Sequence, residues 1–195
     1  MKELVLLKGQ LAFIDDEDYD KCISAVGPGA SWRLAGGYIK GQCRINGNIC
    51  NLLLHRFILG DPSGVVDHAD HNPLNNQRAN LRICSYSQNN ANRIDTNNGS
   101  SVFKNVRQRY YSNRDGNYSA RIKVNKKAQH LGTFKTAQEA AFAYDMHAFY
   151  FFGEFAYLNF GENVELYRSE CVLGLGGFVS NKYKQAFPLI SLLEP

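Results

Sequence analysis

Four residues carry the chemistry that this sequence offers. Asp67 and His68 are adjacent, Asn80 follows thirteen positions after Asp67, and Asn89 nine positions later. They lie in the run V-D-H-A-D-H-N-P-L-N-N-Q-R-A-N-L-R-I-C-S-Y-S-Q-N. A phosphodiester resists attack because its oxygens are negative and its leaving group is poor. One divalent ion neutralises both oxygens at risk, while a general base activates water on the opposite side. Mg²⁺ prefers oxygen ligands, keeps several waters and needs only one or two protein contacts. A carboxylate from Asp67 and a carboxamide oxygen from Asn89 supply that number. Histidine titrates near neutrality, so His68 suits the base. Asn80 is a brace, for the imidazole ring or for the loop through its backbone.

The elements that must position these residues are legible around them. Val65–Ala69 and Leu81–Cys84 have strand composition. Ser85-x-x-Gln88 is a capping box, so a helix starts near Ser85 and carries Asn89 in about its first turn. Adjacent residues of a regular strand point to opposite faces. Asp67 and His68 therefore reach one cleft only if the chain bends there.

Residues 1–60 form a small α+β scaffold in this reading. Leu4–Leu7 and Leu11–Ile14 flank a turn at Lys8-Gly9, and Asp15, Asp16, Glu17 and Asp18 open a helix through about Ala25. Gly27-Pro28-Gly29 breaks it. Tyr38–Ile45 and Asn48–Leu53 flank Asn46-Gly47, a strong hairpin signal. Residues 61–93 complete the first domain, and the polar, aperiodic stretch 94–101 reads as a linker. Beyond it come three β-type segments, near 103–109, 117–124 and 128–134, with turns at Asn113–Asn117 and Asn125–Lys127. Thr136-x-x-Glu139 caps a long helix with an apolar face of Ala137, Ala140, Ala141, Tyr144, Ala148 and Phe151. Gly153 ends it. Residues 161–195 carry no assignable pattern. The expected class is α+β: a ββα motif, then a three-stranded antiparallel sheet on one long helix.

Composition narrows the partners. The chain has 195 residues with 44% hydrophobic content, enough for a packed core. It has no apolar run of membrane-spanning length and no secretion signal at its start, so the expectation is a cytoplasmic protein without membrane partners. Five scattered cysteines argue against a disulfide framework; Cys43 and Cys50 leave zinc as a minor alternative. From Phe103 to Lys135, nine Lys or Arg face one acid, Asp115, a net of +8 in a chain of net +4. A basic segment set among strands and aromatics points to a polyanion such as duplex DNA.

The stretch from His55 to Asn92 resembles the HNH nucleases with a ββα-metal fold, in the variant whose last residue is asparagine. The resemblance implies that Asp67 and Asn89 bind one divalent metal, Mg²⁺ or else Mn²⁺, that His68 is the general base, and that Asn80 is structural. Asn75 stands where aspartate is common. His55 and Arg56 match a His-Arg pair found in members; His55 reads as packed rather than catalytic, and Arg56 as meeting either phosphate or an acid.

Residues 102–160 resemble the ethylene-response-factor (Apetala-two) DNA-binding domain, through F-K-N-V-R-Q-R, N-Y-S-A-R-I-K-V, H-L-G-T-F-K-T-A-Q-E-A-A-F-A-Y-D and G-E-F-A-Y-L-N-F. The resemblance implies a sheet lying in the major groove, with Arg107, Arg109, Tyr118, Arg121, Lys123 and His130 as contacts. Tyr118 and His130 replace tryptophan, and Arg121 an acid, so base preference does not transfer. The whole resembles homing endonucleases of phages and mobile elements, with one active site per chain and hence a nicking monomer. The alternative is a DNA-binding regulator on a degenerate nuclease fold.

Overall fold

In the computed structural model the described residues are 1–27, 30–45, 47–94, 101–109 and 118–172. The linker at 95–100, the turns at 28–29, 46 and 113–117, and the tail beyond 172 lie outside them. The chain is α+β and divides into two compact units, Met1–Asn89 and Asn90–Pro195.

The first unit opens with a hairpin of β1 (Lys2–Val5) and β2 (Leu11–Ile14), closed by Gly9 at φ 76°. Strand alternation sends Leu4, Ala12 and Ile14 inward. Helix α1 (Asp16–Ala25) follows, then an antiparallel meander of β3 (Arg33–Ala35), β4 (Tyr38–Ile45) and β5 (Asn48–Leu53). Short α2 (Leu54–Ile58) leads to the antiparallel pair β6 (Val65–His68) and β7 (Leu81–Cys84), and α3 (Tyr86–Asn92) comes next. The sequence reading missed β3, although Gly36-Gly37, at φ 62° and 75°, is a hairpin turn that joins it to β4, and it missed α2, which has only five residues.

One aromatic organises this core. Trp32 is buried, its indole N–H donates to the Cys22 carbonyl at 2.9 Å, and its ring meets Phe57 at 6.1 Å. Leu4, Ile14, Ile39, Leu54, Ile58, Val66 and Leu81 fill in around it. Gly41 lets the β4 backbone come close: a Cβ there would fall 2.8 Å from both the Trp32 ring and Val26. The wall that supports α1 thus depends on a missing methyl.

The second unit is a three-stranded antiparallel sheet, β8 (Val106–Gln108), β9 (Tyr118–Val124) and β10 (Lys127–Phe134), with β9 central. It packs on α4 (Ala137–Phe152), whose capping box pairs Thr136 with Glu139 and whose C-cap is Gly153 at φ 53°. Ala140, Ala141, Tyr144 and Ala148 meet Val106, Ala120 and Ile122. The expected helix face is corrected at its end: Phe152 is buried, whereas Phe151 is 40% exposed. Four residues separate Phe152 from Ala148, one helical turn along the same face.

The helix is also covered on a second side, which one apolar stripe does not foretell. Phe142 and Met146 pack on Tyr167 of α5 (Val164–Val172), an element within the unassigned tail. Beneath it, Asp145 accepts from the Asn159 and Phe160 backbone N–H groups, the Asn159 carboxamide and the Tyr167 hydroxyl. Burial pushes the Asp145 carboxyl up to about 6 despite these donors.

Gly41→Ala is expected to cost about 1–3 kcal/mol by overpacking. Chemical denaturation monitored by Trp32 fluorescence measures it; an unchanged midpoint would show that the ring yields freely.

Candidate active site

The segment 69–80 between β6 and β7 has little regular backbone pairing, and its side chains replace it. The ladder pairs Asp67 with Arg82 and His68 with Leu81, and Ala69 N–H still donates to the Asn80 carbonyl at 2.9 Å. The bend expected at Asp67 and His68 is absent: the ladder runs regularly through both, which sets their side chains on opposite faces of the strand, and the chain turns only at His71, at φ 63°. Asp70 Oδ1 accepts from the Asn72 N–H at 2.8 Å, and Asn72 Oδ1 from the Leu74 N–H at 3.0 Å. These side chains imitate turn carbonyls, the ordinary work of Asp and Asn in loops.

Asn80 closes the segment on itself. Its Oδ1 accepts from the Asp70 N–H at 3.0 Å, and its Nδ2 donates to Asp70 Oδ1 at 2.9 Å and to the Asn75 carbonyl at 2.8 Å. Of the two brace roles expected for Asn80, it takes the loop. Asn75 Nδ2 donates to Asp70 Oδ2 at 2.8 Å.

The scaffold grips the same segment from outside. Phe13 N–H donates to the Leu74 carbonyl and Asn76 N–H to the Phe13 carbonyl, both at 2.7 Å. Arg78 makes a two-pronged pair with buried Asp18, at 2.8 and 2.7 Å, while its N–H donates to Asp15. The acids at the start of α1 do more than favour a helix N-terminus: three of them, Asp15, Glu17 and Asp18, anchor the loop through Arg78.

His68 is buried, with Nε2 3.3 Å from Asn76 Oδ1. The tautomer follows from the next bond along. Asn76 Nδ2 donates to the Pro73 carbonyl at 2.9 Å, so Oδ1 is the acceptor and His68 Nε2 carries the hydrogen. The lone pair is then on Nδ1. Burial lowers the His68 pKa, against the Asn76 bond and the charges of Asp70 and Asp67. The ring is thus neutral at pH 7. The sequence reading did not single out Asn76, because Asn75-Asn76 looks like a pair of turn formers.

His55 packs edge-on against His68 with centroids 5.3 Å apart, and Tyr38 lies at 5.3 Å from its ring. Burial, with His68 and Arg56 nearby, pushes His55 down to about 4. It is a buried neutral ring, as the packed reading expects. Arg56 pairs with Asp61 at 2.7 Å and donates to the Gly64 carbonyl at 2.8 Å and to the Pro62 carbonyl, fixing the approach to β6. Of its two expected roles, it meets the acid.

Asp67 is buried and paired with Arg82 directly across the ladder. The Arg82 Nε and Nη2 groups both donate to Asp67 Oδ2, at 3.1 and 2.9 Å. Arg82 was also missed; strand register was the signal that would have found it. Asn89 lies on α3 behind a capping box in which Ser85 and Gln88 exchange backbone bonds at 2.8 and 3.2 Å. Burial raises the Cys84 thiol, the Asp67 charge adds to this, and the Asn89 backbone N–H opposes it. The Asn89 backbone N–H thus lies beside the Cys84 thiol.

Among the described residues, no three His, Cys, Asp or Glu side chains gather to hold a metal. Cys43 and Cys50 face one another across β4 and β5 without such a group. One carboxylate and one carboxamide fit a cation that keeps its waters, such as Mg²⁺ or Mn²⁺, better than a closed structural zinc.

In the second unit, Arg107 sits opposite Ser119, and Arg121 opposite His130. Arg107, Arg121, Lys123 and His130 are exposed on the sheet face turned from α4. Arg109 follows β8, also exposed, and donates to Thr133 Oγ1 at 3.4 Å. Tyr118 does not join them. It alternates with Ala120 and Ile122 on the helix side and packs against that core, which corrects its place among the surface contacts.

Comparison with known proteins reaches the same frame. Residues 60–91 match the family model described as HNH endonuclease. The chain is 36% identical over 110 residues to L560 of Acanthamoeba polyphaga mimivirus, described as an uncharacterized HNH endonuclease, covering 53% of this chain and 54% of that protein. The chain thus spans about half the length of the curated relative it matches. No solved structure matches it. In the strand–loop–strand–helix frame, Asp67, His68, Asn80 and Asn89 all lie within the stretch that matches the HNH endonuclease family model.

Proposed function

We propose that the chain is a metal-dependent DNA endonuclease of homing type, cutting with its first unit and binding duplex DNA with the basic sheet of its second. The observation that carries this reading is the fixed tautomer of His68. A neutral imidazole with Nε2 tied to Asn76 and its lone pair on Nδ1 stands beside a buried carboxylate on the same strand.

Asp67 and Asn89 would hold one Mg²⁺ or Mn²⁺, which when bound neutralises the phosphate oxygens. His68 takes a proton from water at Nδ1, and Asn76 Oδ1 accepts the Nε2–H bond that strengthens as the ring becomes cationic. Asn80 keeps the loop in register, so that the base holds its line of attack. Asn76 and Asn80 divide the bracing between them, one for the ring and one for the chain. Products are a 5′-phosphate and a 3′-hydroxyl, and one site per chain nicks one strand.

The second unit's resemblance to an ethylene-response-factor domain supports a duplex-binding sheet. Arg107, Arg121, Lys123 and His130 project from one face, and a ribbon of that width enters a major groove. Arginines suit guanine edges, while lysines suit phosphates. Arg109 borders the same face, held towards Thr133.

The primary experiment is nicking of a supercoiled plasmid with Mg²⁺ or with chelator. His68→Ala is expected to lower the nicking rate about 10²–10⁴-fold with DNA affinity unchanged; equal rates would remove His68 from its role. Because burial holds His68 below its usual value of 6.5, the acid limb of the rate profile should lie below that pH. A limb centred above it would contradict a buried neutral base.

Asn76→Ala should slow nicking about 10–100-fold while Mn²⁺ affinity holds, as expected for loss of a support behind a reacting group. A fall in Mn²⁺ affinity of the same size would place Asn76 in metal binding instead. Arg107→Ala with Arg121→Ala should weaken duplex binding and reduce the salt slope by about 2. An unchanged slope would move DNA off this face.

A further inference from the structure

We infer that Arg82 makes metal loading of the site depend on the phosphate of bound DNA. The inference rests on the proposed reading of Asp67 as a metal ligand. Two Arg82 N–H groups converge on one oxygen, Asp67 Oδ2, from the opposed position of the ladder. A dication seated on that carboxylate shares it with a guanidinium.

The charges of Asp67 and Arg82 then cancel. Asp67 contributes one negative charge and Arg82 one positive, while Asn89 is neutral. Asp70 is the next acid along, but the loop uses both its oxygens: Oδ1 for the Asn72 N–H and Asn80, Oδ2 for Asn75. No group of three acidic, histidine or cysteine ligands gathers among the described residues. Two hard protein oxygens, the charged one shared with a guanidinium, bind a dication weakly. A phosphodiester brings one oxygen ligand and one negative charge, which completes the set. Metal and DNA therefore bind cooperatively, and linkage requires each to tighten the other by the same factor. An enzyme so arranged carries little loaded metal until it is seated on its substrate.

The test reads Mn²⁺ binding to the full chain from the loss of the free-ion paramagnetic resonance signal. It is run with and without a short DNA duplex, and Asp67→Asn corrects for Mn²⁺ bound by the duplex itself. The corrected affinity of the unaltered protein should rise about tenfold with the duplex, within the usual range of coupling. Without DNA, Arg82→Gln should bind Mn²⁺ roughly fivefold more tightly than the unaltered protein, and Arg82→Lys should stay close to it.

Equal or weaker binding by folded Arg82→Gln would overturn the inference, even if Asp67→Asn loses the metal. If Arg82→Gln does not fold, an affinity of the unaltered protein that is the same with and without duplex would overturn it. If Asp67→Asn binds Mn²⁺ as the unaltered protein does in both conditions, the ligand assignment falls and takes the inference with it.

Discussion

The first unit depends on holding a twelve-residue segment, 69–80, in one conformation with few regular backbone bonds. Each polar group left unpaired in such a segment costs about 1–3 kcal/mol where water is excluded. Asp70, Asn72 and Asn80 meet that demand from within, each side chain standing in for a missing backbone partner. Phe13, Asp15 and Asp18 meet it from outside. The hairpin and α1 serve the site by supplying those three residues at fixed places. Trp32 and Gly41 in turn fix the wall behind α1.

The result is an asymmetry between two neighbours in one strand. Asp67 is tied across the ladder to a cation, and His68 across the loop to a carboxamide. One residue meets a cation, and the other is held neutral by burial. Burial alone would disfavour both charged forms. For the imidazole, the Asn76 bond and the charges of Asp70 and Asp67 do not outweigh it. The two neighbours thus differ through the cation across from Asp67 and the burial of His68.

Much of this was legible in the sequence. The hairpin at Asn48–Leu53, the strand Leu81–Cys84 and the helix after Ser85 follow from local signals with local causes: a turn dipeptide, alternation and a capping box. The partition of roles was less legible. Asn76, Asn75 and Asn80 are alike as sequence, and only the three-dimensional course of the loop decides which meets the ring. Arg82 needed the register of β6 on β7, a long-range fact. Tyr118 was misplaced for a related reason: the parity of a strand against its helix depends on where the ladder begins. Phe152 takes the place expected of Phe151 because it follows Ala148 by four positions on the sheet-facing side of α4.

The central claim is that His68 stands ready as a neutral base, with hydrogen on Nε2 and the lone pair on Nδ1. Nitrogen-15 NMR of histidine-labelled protein at pH 7 reads this directly from the ring nitrogen shifts and their couplings to ring protons. The account predicts a neutral His68 ring protonated at Nε2, and loss of that preference in Asn76→Ala. A cationic ring, or a neutral ring carrying its hydrogen on Nδ1, would contradict it.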